Sequence, residues 1–177
     1  MKLNRLAVAL VVGGGLTLGA VTLTVAQEDE PRIAFPADFA SEFTLYMEID
    51  RVQNPGQVMR IYANDVALSG LDSEGRFPAG SILVGQIFAA RTDADGNVII
   101  SDLGRQIIGN PAAVAVMEKE EGWGDAFPDE LRNDDWDFAI FSPAGERLDR
   151  DLNACRSCHA PLGDIDHVFS FQHVPLP

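Results

Sequence analysis

Two cysteines separated by two residues and followed at once by a histidine lie near the C-terminus of this 177-residue chain, as Cys155, Cys158 and His159. They are the chain's only cysteines, so a framework of several disulfides is excluded. The spacing is that of the c-type haem attachment motif. Two thiols so placed can bond to two vinyl groups on one edge of a porphyrin, and the next imidazole can bind the iron. The motif therefore predicts one covalently attached haem c, with His159 as a ligand of the metal.

Three other interpretations of the cysteine pair stay open at this point. A redox dithiol of thioredoxin type would need a βαβ pattern before it, and none is visible. A zinc site would combine Cys155 and Cys158 with His167 and His173, but the interval from Cys158 to His167 is short for the familiar finger arrangement. A plain disulfide would leave the adjacent His159 without a role.

The N-terminus has the pattern of an export signal. Two basic residues precede an uncharged stretch, residues 6–25, which ends in small residues suited to cleavage after Ala26. Residues 1–26 are therefore predicted to be a signal peptide, and the mature protein is predicted to be periplasmic. The stretch is also long enough to span a bilayer, so retention as an inner-membrane anchor is the alternative. Four glycines within it weaken that alternative.

The chain is strongly acidic, with a formal net charge of −14. Such a surface repels nucleic acid and anionic membranes, so no nucleic-acid partner is expected. It would attract a basic redox partner at a rate that falls with salt. The simpler interpretation is that the charge maintains solubility.

The rest of the chain is predicted to form one domain of short strands. Residues 27–37 are acidic and contain two prolines, which predicts an extended lead-in, and residues 38–177 form the predicted haem domain. A short helix and then a strand are predicted after Asp38. Further strands are predicted at 58–62, 81–90, 98–103 and 135–141, with a helix at 64–71, a turn at 72–75, a brief segment at 114–121 and a hairpin turn rather than a calcium loop at 93–97. The fold class is therefore mainly β (α+β), an antiparallel sheet with a few short helices.

Four segments of the chain resemble the cytochrome P-460 family, which includes the cytochromes c′-β. They are residues 60–64 and 75–81, the Trp136–Asp137–Phe138 run with Phe141, and the Cys155–His159 motif followed by Val168–Phe169–Ser170. The resemblance covers most of the chain beyond residue 26. It implies a mainly β fold, usually a homodimer, with one five-coordinate haem per subunit and His159 as the proximal ligand.

The same resemblance bears on the reaction. Members with a lysine bonded covalently to the haem ring resemble hydroxylamine oxidases, whereas members lacking it resemble binders of nitric oxide or carbon monoxide. In the family pattern the lysine comes just after the strand start that corresponds to Gly80 and Ser81, which makes Gly85 its position here. Lys119, the only lysine after Ala26, lies outside that strand. The resemblance therefore favours a c′-β-like haem without the cross-link, and disfavours hydroxylamine oxidation.

The open side of the iron is expected to face the strands that carry Met59 and Gly85. The aromatic residues that could lie over the ring, or alternatively belong to the core, are Phe35, Phe43, Phe77 and Phe88. No polar base is evident opposite the iron, and an apolar distal site suits a neutral diatomic gas such as nitric oxide or carbon monoxide.

Two other functions are carried as alternatives. One is a periplasmic electron carrier, whose sixth iron ligand would be one of Met47, Met59, Met117, His167 or His173. The other is an enzyme that oxidises hydroxylamine or reduces peroxide, so the sequence leaves enzymatic activity uncertain.

Overall fold

The computed structural model describes residues 31–177. Within that range five strands form one antiparallel sheet, in the spatial order in which they follow along the chain. The strands are β1 (Thr44–Asp50), β2 (Gln57–Ala63), β3 (Ile82–Ala90), β4 (Ile108–Lys119) and β5 (Trp136–Phe141). The α-helices are α1 (Phe39–Glu42), α2 (Asp65–Leu68) and α3 (Asn153–His159), and 3-10 helices occupy Trp123–Ala126, Asp129–Leu131, Ala160–Ile165 and Phe171–His173. The predicted mainly β fold is confirmed.

The predicted signal peptide, residues 1–26, and the start of the predicted lead-in lie outside the described residues. Between residues 31 and 177, no helix has the length and hydrophobicity needed to cross a membrane.

The short elements after Asp38, at 58–62, at 64–71 and at 135–141 occur close to their predicted positions. The turn at 93–97 is also confirmed, because the Asp93 carboxylate accepts hydrogen bonds from the backbone N–H groups of Asp95 and Asn97. Such a side-chain bond to nearby backbone is the ordinary way in which aspartate stabilises a turn.

The predicted return strand at 98–103 is wrong. Val98 and Ile100 form only isolated bridges, to Thr92 and Gln106. The chain turns again at once, with the Gly104 N–H bonded to the Ser101 carbonyl. The apolar run is therefore divided between two successive turns and is too short for a ladder. The partner of β3 is instead β4, which is longer than the predicted segment at 114–121.

Residues that pair across an antiparallel sheet point to the same face, so the pairing assigns each core cluster to one side. One face is covered by the segment that precedes β1. The buried members of that cluster are Ile33, Phe39, Tyr62, Val84, Val114, Val116, Ala139 and Phe141.

The opposite face is covered at one end by the C-terminal segment. The buried members of this second cluster are Ala63, Ala67, Phe77, Leu83, Trp136, Val168 and Val174. The cysteine motif approaches the sheet on this side, because the ring of His159 contacts Phe138, which shares the face with Met117.

Candidate haem-binding site

Helix α3 carries the cysteine motif. Cys155 and Cys158 lie three positions apart in one helix, which places both thiols on the same side. They are not bonded to each other; Cys155 is half-buried and Cys158 is exposed. Burial raises the pKa of Cys155 above its ordinary value, against the opposing positive charges of Arg156 and Arg51. A catalytic dithiol needs a lowered thiol pKa, so this environment does not support the redox interpretation.

Arg156, the second residue of the motif, links α3 to β5 at the edge of the sheet. Arg156 is buried, and its guanidinium donates a hydrogen bond to the carboxylate of Asp137 on β5. The same guanidinium lies 4.2 Å from the centre of the Phe127 ring, within cation–π range. The Arg156 carbonyl also accepts a hydrogen bond from the Asn133 amide at 3.2 Å. These contacts fix where both thiols stand relative to the sheet.

The imidazole of His159 is held by one hydrogen bond and two aromatic rings. Its Nδ1 lies 2.7 Å from the carbonyl oxygen of His167. A carbonyl can only accept, so Nδ1 is the donor and Nε2 keeps a free lone pair. This is the tautomer in which second-shell carbonyls commonly hold metal-binding histidines. The ring stands edge-on to Phe138 and Phe169, at centroid distances of 5.0 Å and 4.9 Å.

The environment also favours the neutral form of this imidazole. Burial lowers the pKa of His159 below its ordinary value; the hydrogen bond to the His167 carbonyl opposes that effect, and the proximity of the His167 side chain adds to it. Neutral imidazole is the form that binds metals.

The sheet face on the side of His159 is apolar in an unbroken row across all strands. By the strand pairing, Met47 faces Ile61, Ile61 faces Gly85, Gly85 faces Ala115, and Ala115 faces Ile140. The smallest residues stand in the middle of the row, where the Met59 side chain lies against Gly85. Four of these five residues are only half-buried, the exception being Ile61. Apolar surface left half-covered in this way is typical of a ligand site.

These observations test whether the site suits haem. Two free thiols lie on one side of a helix, an imidazole nearby keeps a free Nε2, and a half-buried apolar face lies on the same side of the sheet. Phe169, which packs on His159, is 50% exposed, although it is a large apolar residue. A flat apolar cofactor with an iron centre is the kind of group that this set of side chains fits.

Two of the predicted distal residues come together, and the third lies elsewhere. The Sδ of Met59 lies 2.9 Å from the position that a Cβ would take at Gly85, so these residues touch on the apolar face. Phe77 is instead a core residue, 1% exposed, with its ring packed edge-on against Trp136 and Phe171. The size and apolar character of Phe77 suggested a position over the haem ring, but they suit the buried core equally well.

The other three phenylalanines lie on the opposite face of the sheet. Phe35 and Phe43 pack against the cluster under the N-terminal segment. Phe88 pairs with Val58, which places it on that face too, beneath the guanidinium of Arg60. Sequence alone could not assign them, because an aromatic residue in a strand suits either face.

The remaining histidines do not assemble the zinc site that the sequence allowed. The Nδ1 of His167 is bonded to the His159 carbonyl at 3.1 Å, and His173 is exposed. Among the residues that the structure describes, no group of three or more histidine, cysteine or acidic side chains is arranged to hold a metal ion.

Lys119, the lysine weighed for a cross-link, is buried at the end of β4. Its Nζ lies 2.9 Å from a carboxylate oxygen of Asp134 and 2.9 Å from one of Asp166. The side chain is therefore engaged with two acids, away from the position of Gly85 in the middle of β3.

Several residues around the motif were not assigned roles by sequence reasoning. They are Arg156 with its partner Asp137, the rings of Phe138 and Phe169, and the carbonyl of His167. Asp137, Phe138 and Phe169 do lie in segments that carried the family resemblance, and that was the available signal. The carbonyl of His167 had none, because every residue has one.

Comparison with known proteins identifies the family of the chain. A family model described as Cytochrome P460 matches residues 36–170, which include the whole sheet and α3. A search of curated proteins found no match. Since the family model spans well over half of the chain, the chain belongs to the cytochrome P460 family, whose cofactor is haem.

Proposed function

We propose that this protein is an exported c-type cytochrome that binds nitric oxide or carbon monoxide at a five-coordinate haem iron. One haem c per chain is bonded to Cys155 and Cys158, and His159 is the only protein ligand of the iron. Export delivers the protein to the periplasm, where thioether attachment keeps the cofactor from being lost. Following the family resemblance, the protein acts as a homodimer.

The main support for the proposal is the orientation of the His159 ring and its free Nε2. Its Nδ1 is committed to the His167 carbonyl, its Nε2 is free, and Phe138 and Phe169 restrict rotation of the ring. The free thiols of the same helix belong to residues one and four positions before it. This is the donor set that c-type attachment requires.

The choice of a gas follows from the apolar character of this sheet face. When bound, haem supplies a ferrous iron that can take up a neutral diatomic molecule. The chain contributes a wall of Met59, Gly85 and Ala115 that offers no charge and no proton donor. Such a wall excludes water and favours an uncharged ligand. Gly85 also leaves the strand without the lysine of the oxidase pattern, so hydroxylamine oxidation is not the favoured activity.

Attachment is tested by mass spectrometry of protein made in a host competent for cytochrome c maturation. The wild type should carry the mass of one haem, and the double variant Cys155→Ser/Cys158→Ser should have the mass of the bare polypeptide. Ser157→Ala is the matched control, because this exposed residue lies between the cysteines and its hydroxyl bonds, among residues 31–177, only to the Ala154 carbonyl. Its haem content should equal that of the wild type.

Ligation is tested on the same samples by absorption spectra of the ferric, ferrous and carbon monoxide forms. The proposal expects a high-spin spectrum that changes when the gas is added. A low-spin spectrum that ignores carbon monoxide would instead indicate an electron carrier with a sixth protein ligand. Turnover of hydroxylamine with an electron acceptor would indicate the enzyme. A wild-type mass equal to the bare polypeptide would defeat the whole proposal.

A further inference from the structure

Two successive residues after the motif adopt a backbone conformation that side chains rarely take. Asp166 has φ +47° and His167 has φ +59°, both in the left-handed region. Single residues other than glycine visit this region uncommonly, and such strain persists only where the surroundings hold it. Contacts from the surrounding residues must therefore stabilise this turn.

The turn is fixed by a buried carboxylate. The side chain of Asp166 is 0% exposed, and its two oxygens lie 2.9 Å and 3.1 Å from Nζ of Lys119. One oxygen also accepts a hydrogen bond from the backbone N–H of Phe77 at 2.8 Å. Lys119 is held in turn by Asp134 at 2.9 Å. Residues from β4 and from the segment before β3 thus contact this turn directly, and the loop before β5 supports it through Lys119.

The turn leads directly to the iron-ligand candidate. The residue after Asp166 is His167, whose carbonyl oxygen accepts the hydrogen bond from Nδ1 of His159. The His167 ring returns a second bond, from its Nδ1 to the His159 carbonyl. Displacement of Asp166 would therefore move the carbonyl acceptor that orients the His159 ring.

We propose that Asp166 and Lys119 are positioning residues for His159, acting by holding the His167 carbonyl against its Nδ1. This inference rests on the proposed function, in which His159 binds the haem iron. A hydrogen bond accepted from Nδ1 raises the basicity of the ligand, strengthens its bond to iron and favours the ferric state. Lys119, which does not serve as a cross-link, would thus act on the haem from the proximal side.

The test uses Asp166→Asn in the haem-loaded protein. Asparagine is among the residues that tolerate the left-handed conformation best, and its oxygen can still accept from Phe77, so the main loss is the charge that binds Lys119. The hydrogen bond to His159 should weaken. We expect the iron–histidine stretching band of the ferrous protein to move to lower frequency in resonance Raman spectra, and the reduction potential to rise.

Lys119 provides a second and independent pair of variants. Lys119→Gln removes the charge and should shift the band and the potential in the same directions as Asp166→Asn. Lys119→Arg keeps the charge and should restore both readouts towards the wild type. Val116→Ala is the control for general destabilisation, because Val116 is 1% exposed in the cluster on the opposite face. It should lower the stability and leave the band and the potential unchanged.

The outcomes separate this inference from the proposed function. A wild type without attached haem, or with haem but without an iron–histidine band that His159→Ala abolishes, overturns the proposed function. A wild type with that band, together with Asp166→Asn and Lys119→Gln at the wild-type frequency and potential, overturns the positioning role alone. Shifts as large in Val116→Ala as in Asp166→Asn would overturn it as well.

Discussion

At the scale of single residues, Tyr46 connects β1 to the C-terminal segment. Its hydroxyl lies 2.7 Å from the Ser170 hydroxyl, and burial raises its pKa from 10.0 to about 12. The neutral phenol of Tyr46 therefore stabilises the folded protein. This contribution is fully present below the pKa of tyrosine in the unfolded chain, and it is lost as pH rises through the pKa in the folded protein. The free energy of unfolding should therefore fall by about 2 to 3 kcal/mol between these two values.

Urea unfolding of the wild type and Tyr46→Phe at a series of alkaline pH values measures this contribution. The variant should lack that part of the pH dependence, although it loses one hydrogen bond at every pH. Ser170→Ala keeps the buried phenol and should retain the fall. Identical pH profiles for the wild type and Tyr46→Phe would contradict the prediction.

Gly85 is the smallest residue in the apolar row across the sheet. In Gly85→Ala the new methyl group would meet Met59 Sδ, which belongs to a flexible side chain and can move aside. We expect a change in stability within about 1 kcal/mol. The added methyl narrows the proposed gas site, so carbon monoxide affinity should fall by about tenfold or more.

Carbon monoxide titration of the ferrous protein measures this affinity. Val84→Ala is the matched control, since Val84 is the neighbouring residue on β3 and points to the opposite face. It should cost about 2 kcal/mol of stability and leave the affinity unchanged. An unchanged affinity in Gly85→Ala would place the gas site elsewhere.

At the scale of secondary-structure elements, Asn64 joins α2 to the start of β3. Its Oδ1 accepts hydrogen bonds from the N–H groups of Ala67 and Ile82, at 2.9 Å and 3.0 Å, and its Nδ2 donates to the Gly80 carbonyl at 2.8 Å. One side chain thus caps a helix and begins a strand, which explains why so short a helix keeps its place.

Asn64→Ala should lower the free energy of unfolding by about 2 to 4 kcal/mol, because it removes the cap and leaves partly buried backbone groups without partners. Asn64→Asp keeps the two accepted bonds and loses only the bond to Gly80, so it should cost less. Denaturant unfolding compares the two variants. Equal losses would show that the two accepted bonds contribute little.

At the scale of the whole molecule, the formal net charge of −14 should control encounters with charged reagents. Cationic reductants are drawn to such a surface and anionic ones are repelled, by forces that salt screens. We expect reduction of the haem by a cationic ruthenium ammine to slow by about tenfold between about 0.01 M and about 0.15 M ionic strength.

Stopped-flow absorbance at the haem band measures this rate, and an anionic reductant serves as the control. Reduction by the anion should become faster over the same range of salt. If both reagents responded alike, the charge would have no steering effect at the haem. The simpler interpretation, that it only maintains solubility, would then hold.

The sequence by itself determined the type of fold and the chemical identity of the motif. The side-chain alternation of a strand is local, so most of the sheet could be predicted, and the spacing of Cys155, Cys158 and His159 is complete within five residues. The local pattern wrongly predicted a strand at 98–103, because a second turn divides that apolar segment. Only the tertiary structure decided which sheet face meets His159 and which carbonyl orients it. Lys119 and Asp166, 47 positions apart, meet because of the path of the chain, which no local pattern records.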